Sequence, residues 1–283
     1  MEQAMTFRFA VVGLALGVCA CGPAGNDAGV DDQRAGATDI RRALATVARP
    51  NVERHLEYLA ADARKGRMTG TPEYDESAAY VAEQFAALGL EPAGEDGWFQ
   101  NVPLLGNHLD TGSVAVTLHK DRGDSALRWK DDFVMSGDAV RDELSVRGEV
   151  VYVGFGVHAP DMNYSDYEGI DVEGKIVALF GGAPASFPHN ERAFYSSGRT
   201  KADEMVRRGA IGYIGMRSRV DQERVPWERL TLNAGVQPGM SWINLSGQPV
   251  DHHHELRGNA TLSVPSATEL FAGSPLTFEE ALD

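Results

Sequence analysis

Cysteine is almost missing from this chain: only Cys19 and Cys21 occur in 283 residues. No disulfide framework, cysteine-built metal site or thiol nucleophile can therefore form in the body of the protein. Long apolar runs are missing too. The run from Phe9 to Val18 spans about ten residues, half of what a bilayer-crossing helix needs. Positive charge is scarce, since 26 Lys and Arg stand against 41 Asp and Glu, a formal net charge of -15. Nucleic-acid binding wants a basic patch to neutralise phosphates, and this balance argues against it. There are no internal repeats, no coiled-coil heptads and no G-x-S-x-G nucleophile elbow. What remains, 43% hydrophobic and 24% charged residues, is the composition of a soluble globular protein. The length suits one large domain or two small ones.

The N-terminus reads as an export signal. Arg8 precedes the apolar run, whose length suits a signal h-region. The run enters Val18-Cys19-Ala20-Cys21-Gly22, which resembles a bacterial lipobox. Ala20 supplies the small residue wanted before a modified cysteine, and Val18 suits that position less well. Residues 1–21 are therefore expected to be a lipoprotein signal peptide with Cys21 as the lipidated N-terminus. Cys19 is the alternative site, and an ordinary cleaved signal is the other reading. The chain would then be exported and held at the cell envelope through its lipid, in the periplasm or outer membrane or at the cell surface. Residues 22–39 are rich in Gly, Ala and Asp without an apolar period, and read as a flexible linker.

Order begins near Ile40. The spacing of Ile40, Leu44, Val47, Val52, Leu56 and Leu59 predicts a helix, a break at Pro50 and a second helix. The next helix is the clearest. Thr71 can cap it and Pro72 sits at its first position. Ala78, Val81, Ala82, Phe85 and Leu88 share one face, and Gly89 supplies a left-handed cap. Residues 97–104 look like an edge strand, and 113–118 alternate like another. Further strands are predicted within 148–156, 166–180, 209–216, 241–245 and 260–264, with a helix over 200–208.

Two groups of motifs carry a family resemblance. Gly66-Arg67-Met68-Thr69-Gly70-Thr71-Pro72-Glu73, then a helix, then Gly89-Leu90-Glu91-Pro92-Ala93-Gly94, resembles the start of secreted zinc aminopeptidases. That superfamily includes the transferrin receptor and glutamate carboxypeptidase. Gly174-Lys175-Ile176-Val177, the helix around Lys201-Ala202 and Gly209-Ala210-Ile211-Gly212-Tyr213-Ile214 resemble a protease-associated (PA) domain. The resemblance covers about residues 45–283. It implies an α+β chain. A PA-domain β-sandwich or barrel with flanking helices is inserted after the opening helices of an incomplete α/β zinc-peptidase domain. The implied divisions are 40–130 for the opening peptidase segment, 131–265 for the PA domain and 266–283 for the return toward a catalytic core. The family's two zinc ions belong to that core, so no cofactor and no catalytic or metal residue is expected here. The implied partner is a peptide or protein substrate. The alternative is a non-catalytic PA-domain lipoprotein that binds peptides or a protein.

Other motifs are weaker. In the family, H-x-D on a buried strand supplies the first zinc ligands. Here His108-Leu109-Asp110 and His119-Lys120-Asp121 sit on no apolar strand end and precede the PA region. Glu279-Glu280 reads as a capped helix start, with Thr277 and Glu280 as a capping box. His252-His253-His254 cannot chelate one metal from a regular strand, where neighbours point to opposite faces. That run reads as a polar turn, and metal storage through it is the least favoured function. Gly154-Phe155-Gly156-Val157-His158-Ala159 would hold a dinucleotide only if a helix followed it. The polar, aromatic loop 188–199 could reach a substrate through Arg192, Tyr195 and Arg199, because PA loops of related enzymes roof the active site.

Overall fold

The computed structural model describes residues 40–282, apart from 43, 45, 46, 139 and 237. The expected signal peptide, both cysteines and the linker lie outside the described residues. The chain divides into two compact units, one ending at Phe99 and one beginning at Gln100.

In the first unit, α1 (Arg49–Ala60) and α2 (Pro72–Ala87) are joined through a 3-10 segment, Asp62–Arg67. The helical break falls at residues 47 and 48 rather than at Pro50. Pro50 is instead in the first turn of α1, where its missing N–H breaks no intrahelical bond. The ends of α2 are as read. Thr71 Oγ1 accepts from the Tyr74 N–H at 3.4 Å. Gly89, at φ 76°, lets the chain turn back so that the Leu90 N–H reaches the Phe85 carbonyl at 3.2 Å. The two helices are tied by Tyr58 stacked on Tyr80, with centroids 3.8 Å apart, and by His55 Nδ1 lying 2.7 Å from the Tyr80 hydroxyl. Burial is slight. No residue of α1 is buried, and α2 buries only Ser77 and Ala82. Of the strand expected over 97–104, Gly97 and Phe99 form only isolated bridges with Gly94 and Asp96, and Leu104 opens a strand of the second unit.

The second unit starts with β1 (Leu104–Asn107), the hairpin β2 (Val116–Leu118) and β3 (Ser125–Leu127), and β4 (Phe133–Val134). Next come β5 (Val150–Tyr152), the short pair β6 (His158–Ala159) and β7 (Tyr164–Ser165), and β8 (Ile176–Phe180). Then follow α3 (His189–Tyr195), α4 (Gly198–Arg207), β9 (Gly212–Met216), α5 (Arg219–Arg224) and α6 (Trp227–Leu232). The chain continues with β10 (Gly239–Trp242), β11 (Asn259–Leu262), α7 (Val264–Phe271) and α8 (Phe278–Leu282). The main sheet runs β5-β8-β9-β11-β4. Its first four strands are parallel and β4 is antiparallel to β11.

Alternation along β8 separates two cores. Val177 and Leu179 face a cluster with Ala202 and Met205 of α4. Ala178 and Phe180 face a cluster with Phe133, Leu262, and Phe271 and Phe278 of α7 and α8. Period-2 strands buried on both faces give near-continuous apolar runs, as Ile176–Phe180 shows.

The α+β organisation holds, but the expected sandwich or barrel needs correcting. Among the described residues the sheet is open, ending at β5 and β4, and no barrel closes. The predicted strand at 241–245 does not close that sheet either, because β10 pairs with β1 in a separate two-stranded ribbon. Residues 100–130, read from sequence with the opening segment, fall in the second unit. Val116, Leu127 and Trp129 pack there against the Phe133 cluster.

Candidate functional site

In open sheets of parallel strands, ligands favour the crevice beyond the carboxyl ends of the strands. Here that edge is made by Gly154 after β5, Gly181 and Gly182 after β8, and Arg217 and Ser218 after β9. The amphipathic period of α4 turns Lys201 inward beside Ala202, and Lys201 is 5% exposed. Its ammonium donates to the Phe180 carbonyl at 3.0 Å and to the Gly182 carbonyl at 2.5 Å. Burial pulls its pKa down to about 8, opposed by the charges of Asp166 and Asp221.

Asp166 gathers the loop after β5. It accepts from the Val157 N–H at 2.9 Å and from the Tyr164 hydroxyl at 2.6 Å. Burial, then the bond to Asp166, raises the Tyr164 pKa. Gly154 is needed beside it. Its φ is 56°, and a Cβ there would stand 2.5 Å from Asp166 Oδ1. Asp221 caps α5 reciprocally with Ser218, whose hydroxyl donates to it at 2.8 Å. The buried Arg217 donates to the carbonyls of Asp221 and Val225.

Each of these polar groups already has protein partners, so the cluster pins three loops and presents no free nucleophile beside a base. Its chemistry is positional. In the sequence Lys201 stands out only as part of the Lys201-Ala202 motif. The signal that could have flagged its burial is a lysine on the inward face of an amphipathic helix.

The loop expected at 188–199 is largely helical, as α3 and the start of α4. Tyr195 packs edge-on against Phe187 at 5.7 Å, and Phe187 against Tyr164 at 5.3 Å, beside the buried Val157 and Ala159. Arg192 and Arg199 stay exposed on the two adjoining helices. Tyr195 is thus drawn into an aromatic cluster while the two arginines face solvent.

The other motifs bring no metal set together. His108 is exposed, and Asp110 accepts from the Gly112 N–H at 3.0 Å in a turn. His119 pairs with Asp124 at 2.9 Å. His253 Nε2 lies 2.8 Å from Asp203 Oδ1, and the histidine run is a turn. Among the described residues no three or more His, Cys, Asp or Glu are gathered into a possible metal set. Thr277 and Glu280 form the expected reciprocal cap, at 2.9 and 3.2 Å. After Ala159 comes a 3-10 turn, Pro160–Met162, so the glycine fingerprint lacks the helix it would need. No helix of the described residues is long and apolar enough to cross a membrane.

The first unit holds a cleft of about 450 Å³, lined by Leu59, Tyr74, Val81, Phe85, Trp98 and Arg67 among others. Its wall is mostly apolar, with Arg67 the one cation among its lining residues.

No family model matches this chain, and no curated protein does. Among solved structures, an aminopeptidase from Aneurinibacillus sp. strain AM-1 is similar at 15% identity and a TM-score of 0.38, over 78% of this chain. The chain spans 41% of that structure's length. Likeness at that level assigns neither a fold nor an activity to this chain.

Proposed function

We propose that this chain is the opening and PA portion of an exported zinc aminopeptidase, and that the portion hydrolyses nothing by itself. The carrying observation is the apolar stripe of α1 and α2. Leu56, Val81, Phe85 and Leu88 are exposed, with Leu88 at 76%. A capped helix with an apolar stripe, as α2 is, normally buries that stripe against another helix or a sheet. In a zinc exopeptidase of this type the catalytic core following the PA region supplies that sheet. The motif order supports the same reading, from the capped opening helix through Gly89-Leu90-Glu91-Pro92 to the Ile176–Phe180 strand. The two zinc ions, their ligands and the glutamate base would all come from that core. This portion would contribute the outer walls of the substrate cleft, with the exposed Arg192 and Arg199 toward a peptide and Tyr195 packed behind them. Lipid on Cys21 would hold it at the envelope.

The test is the coding frame past codon 283. An apolar strand ending in H-x-D within the following several dozen codons is expected, and a stop codon there would sink the proposal. A second reading, a non-catalytic PA module that binds peptides, is favoured by Phe278. At 1% exposure it closes the core of the second unit from within. A stop codon together with saturable peptide binding by the 283-residue chain would establish that reading instead.

A further inference from the structure

The ribbon of β1 and β10 has a free edge of defined chemistry. Its register runs from Leu104 opposite Trp242 to Asn107 opposite Gly239. The Ile243 N–H donates to the Pro103 carbonyl at 2.8 Å, which makes that pair a hydrogen-bonded one. Bonded and non-bonded pairs alternate in antiparallel ribbons. Leu105 with Ser241 and Asn107 with Gly239 are therefore the next bonded pairs. The N–H and C=O groups of Leu104 and Gly106 then point away from β10. The alternation is confirmed on the far side, where the Trp242 carbonyl accepts from the Val250 N–H at 3.0 Å. Among the described residues no other strand pairs with β1.

Two outward donors and two outward acceptors on a strand are complementary to another extended backbone. The side chains narrow the choice. Leu104, Gly106, Met240 and Trp242 share one ribbon face, and all four are exposed. A Cβ built on Gly106 would meet nothing within 4 Å, so there is open space on that face beside Met240.

We infer that β1 pairs antiparallel with β1 of a second copy of this chain. The two-fold axis passes at Leu105, giving a four-stranded ribbon β10-β1-β1-β10. In this register each copy's Leu104 stands opposite the other's Gly106, and all outward main-chain groups meet. Leu104 fills the space that glycine leaves, between its own Trp242 and the other copy's Met240. An isologous contact of this kind is self-complementary and closes as a dimer. The contact is short, so association is weak and depends on concentration. Each chain carries a formal charge of -15, so mutual repulsion opposes pairing and added salt strengthens it.

Sedimentation velocity of the full chain over a concentration series tests this. A reversible monomer–dimer equilibrium that shifts toward dimer with salt is expected. Gly106→Glu has room in the monomer and places a charged side chain against the second copy's Leu104. It should weaken the dimer by about tenfold or more while leaving the monomer folded. Amide exchange gives an independent readout. The Leu104 and Gly106 amides should slow as concentration rises, while the Leu105 amide, bonded within the ribbon, stays unchanged. A chain that remains monomeric throughout, or a dimer indifferent to Gly106→Glu, overturns the inference.

Discussion

In the second unit, α4 lays Ala202 and Met205 on one face of a parallel sheet, while α7 and α8 lay Phe271 and Phe278 on the other. In the first unit, α1 and α2 are no less regular, yet Leu56, Phe85 and Leu88 face solvent. Regularity in the first unit comes from local chemistry: the Thr71 cap, Pro72 at the first position, the Gly89 turn and the Tyr58–Tyr80 stack. Regularity in the second comes from burial. The comparison teaches that a helix can be legible and well capped without being stabilised by packing, since most helical stability in proteins is tertiary.

Truncating one large apolar side chain in each unit should separate the two units most widely. Phe278→Ala in the second should cost about 3–5 kcal/mol, because it empties a fully enclosed position between Phe180 and Phe271. Leu88→Ala in the first should change stability by less than about 0.5 kcal/mol, as surface substitutions do. Thermal unfolding of both variants checks this, and equal losses would mean that α2 is packed after all.

Next in size is Lys201→Met. It leaves the Phe180 and Gly182 carbonyls without their donor, and should cost about 1–3 kcal/mol in chemical unfolding. Lys201 also sets a pH dependence. Its folded pKa, about 8, lies below the 10.5 of the free side chain. Between those values the unfolded chain binds more protons than the folded one, so stability rises with pH across that window. Below about pH 8 both states hold the proton, and the cost of burying the charge is fully present. Lysine at this position should therefore produce a rise between pH 8 and 10 that Lys201→Met lacks, measured by urea unfolding at each pH.

A smaller effect is expected at the cap. Thr71→Ala removes the acceptor for the Tyr74 N–H and should cost about 1 kcal/mol, felt as faster amide exchange in the first turn of α2 and nowhere in the sheet. Replacing Leu56, Phe85 and Leu88 together with serine should leave thermal unfolding unchanged and reduce binding of a hydrophobic dye. Finally, the purified chain should release no amino acid from aminoacyl substrates with or without zinc. Zinc-dependent turnover by this chain would contradict the proposed division of labour.

How legible the molecule was in its sequence follows the same divide. The ends of α2 and the capping box at Thr277 and Glu280 were readable, because caps are local and carried by two or three residues. Buried parallel strands such as β8 announced themselves as apolar runs. Pairing was not readable. Nothing in Ser241-Trp242-Ile243 says that its partner is β1 and not the main sheet, since a period-2 pattern fits either. The segment 188–199 reads as a loop in sequence because α3 is short, lacks a side-chain cap and shows no apolar period. Phe187 packed on Tyr195 helps hold it, and that contact is tertiary. At the candidate site, Lys201 was visible only as a motif letter. Its role depends on the carbonyls of Phe180 and Gly182, some twenty residues away in sequence.

The most direct test of the central contrast is native-state amide exchange along the full chain. Amides of β8, β9 and α4 should exchange only through global unfolding, while those of α1 and α2 should exchange through openings that cost much less. Equal protection in both units would contradict it, and would mean that α1 and α2 already have the surface they need.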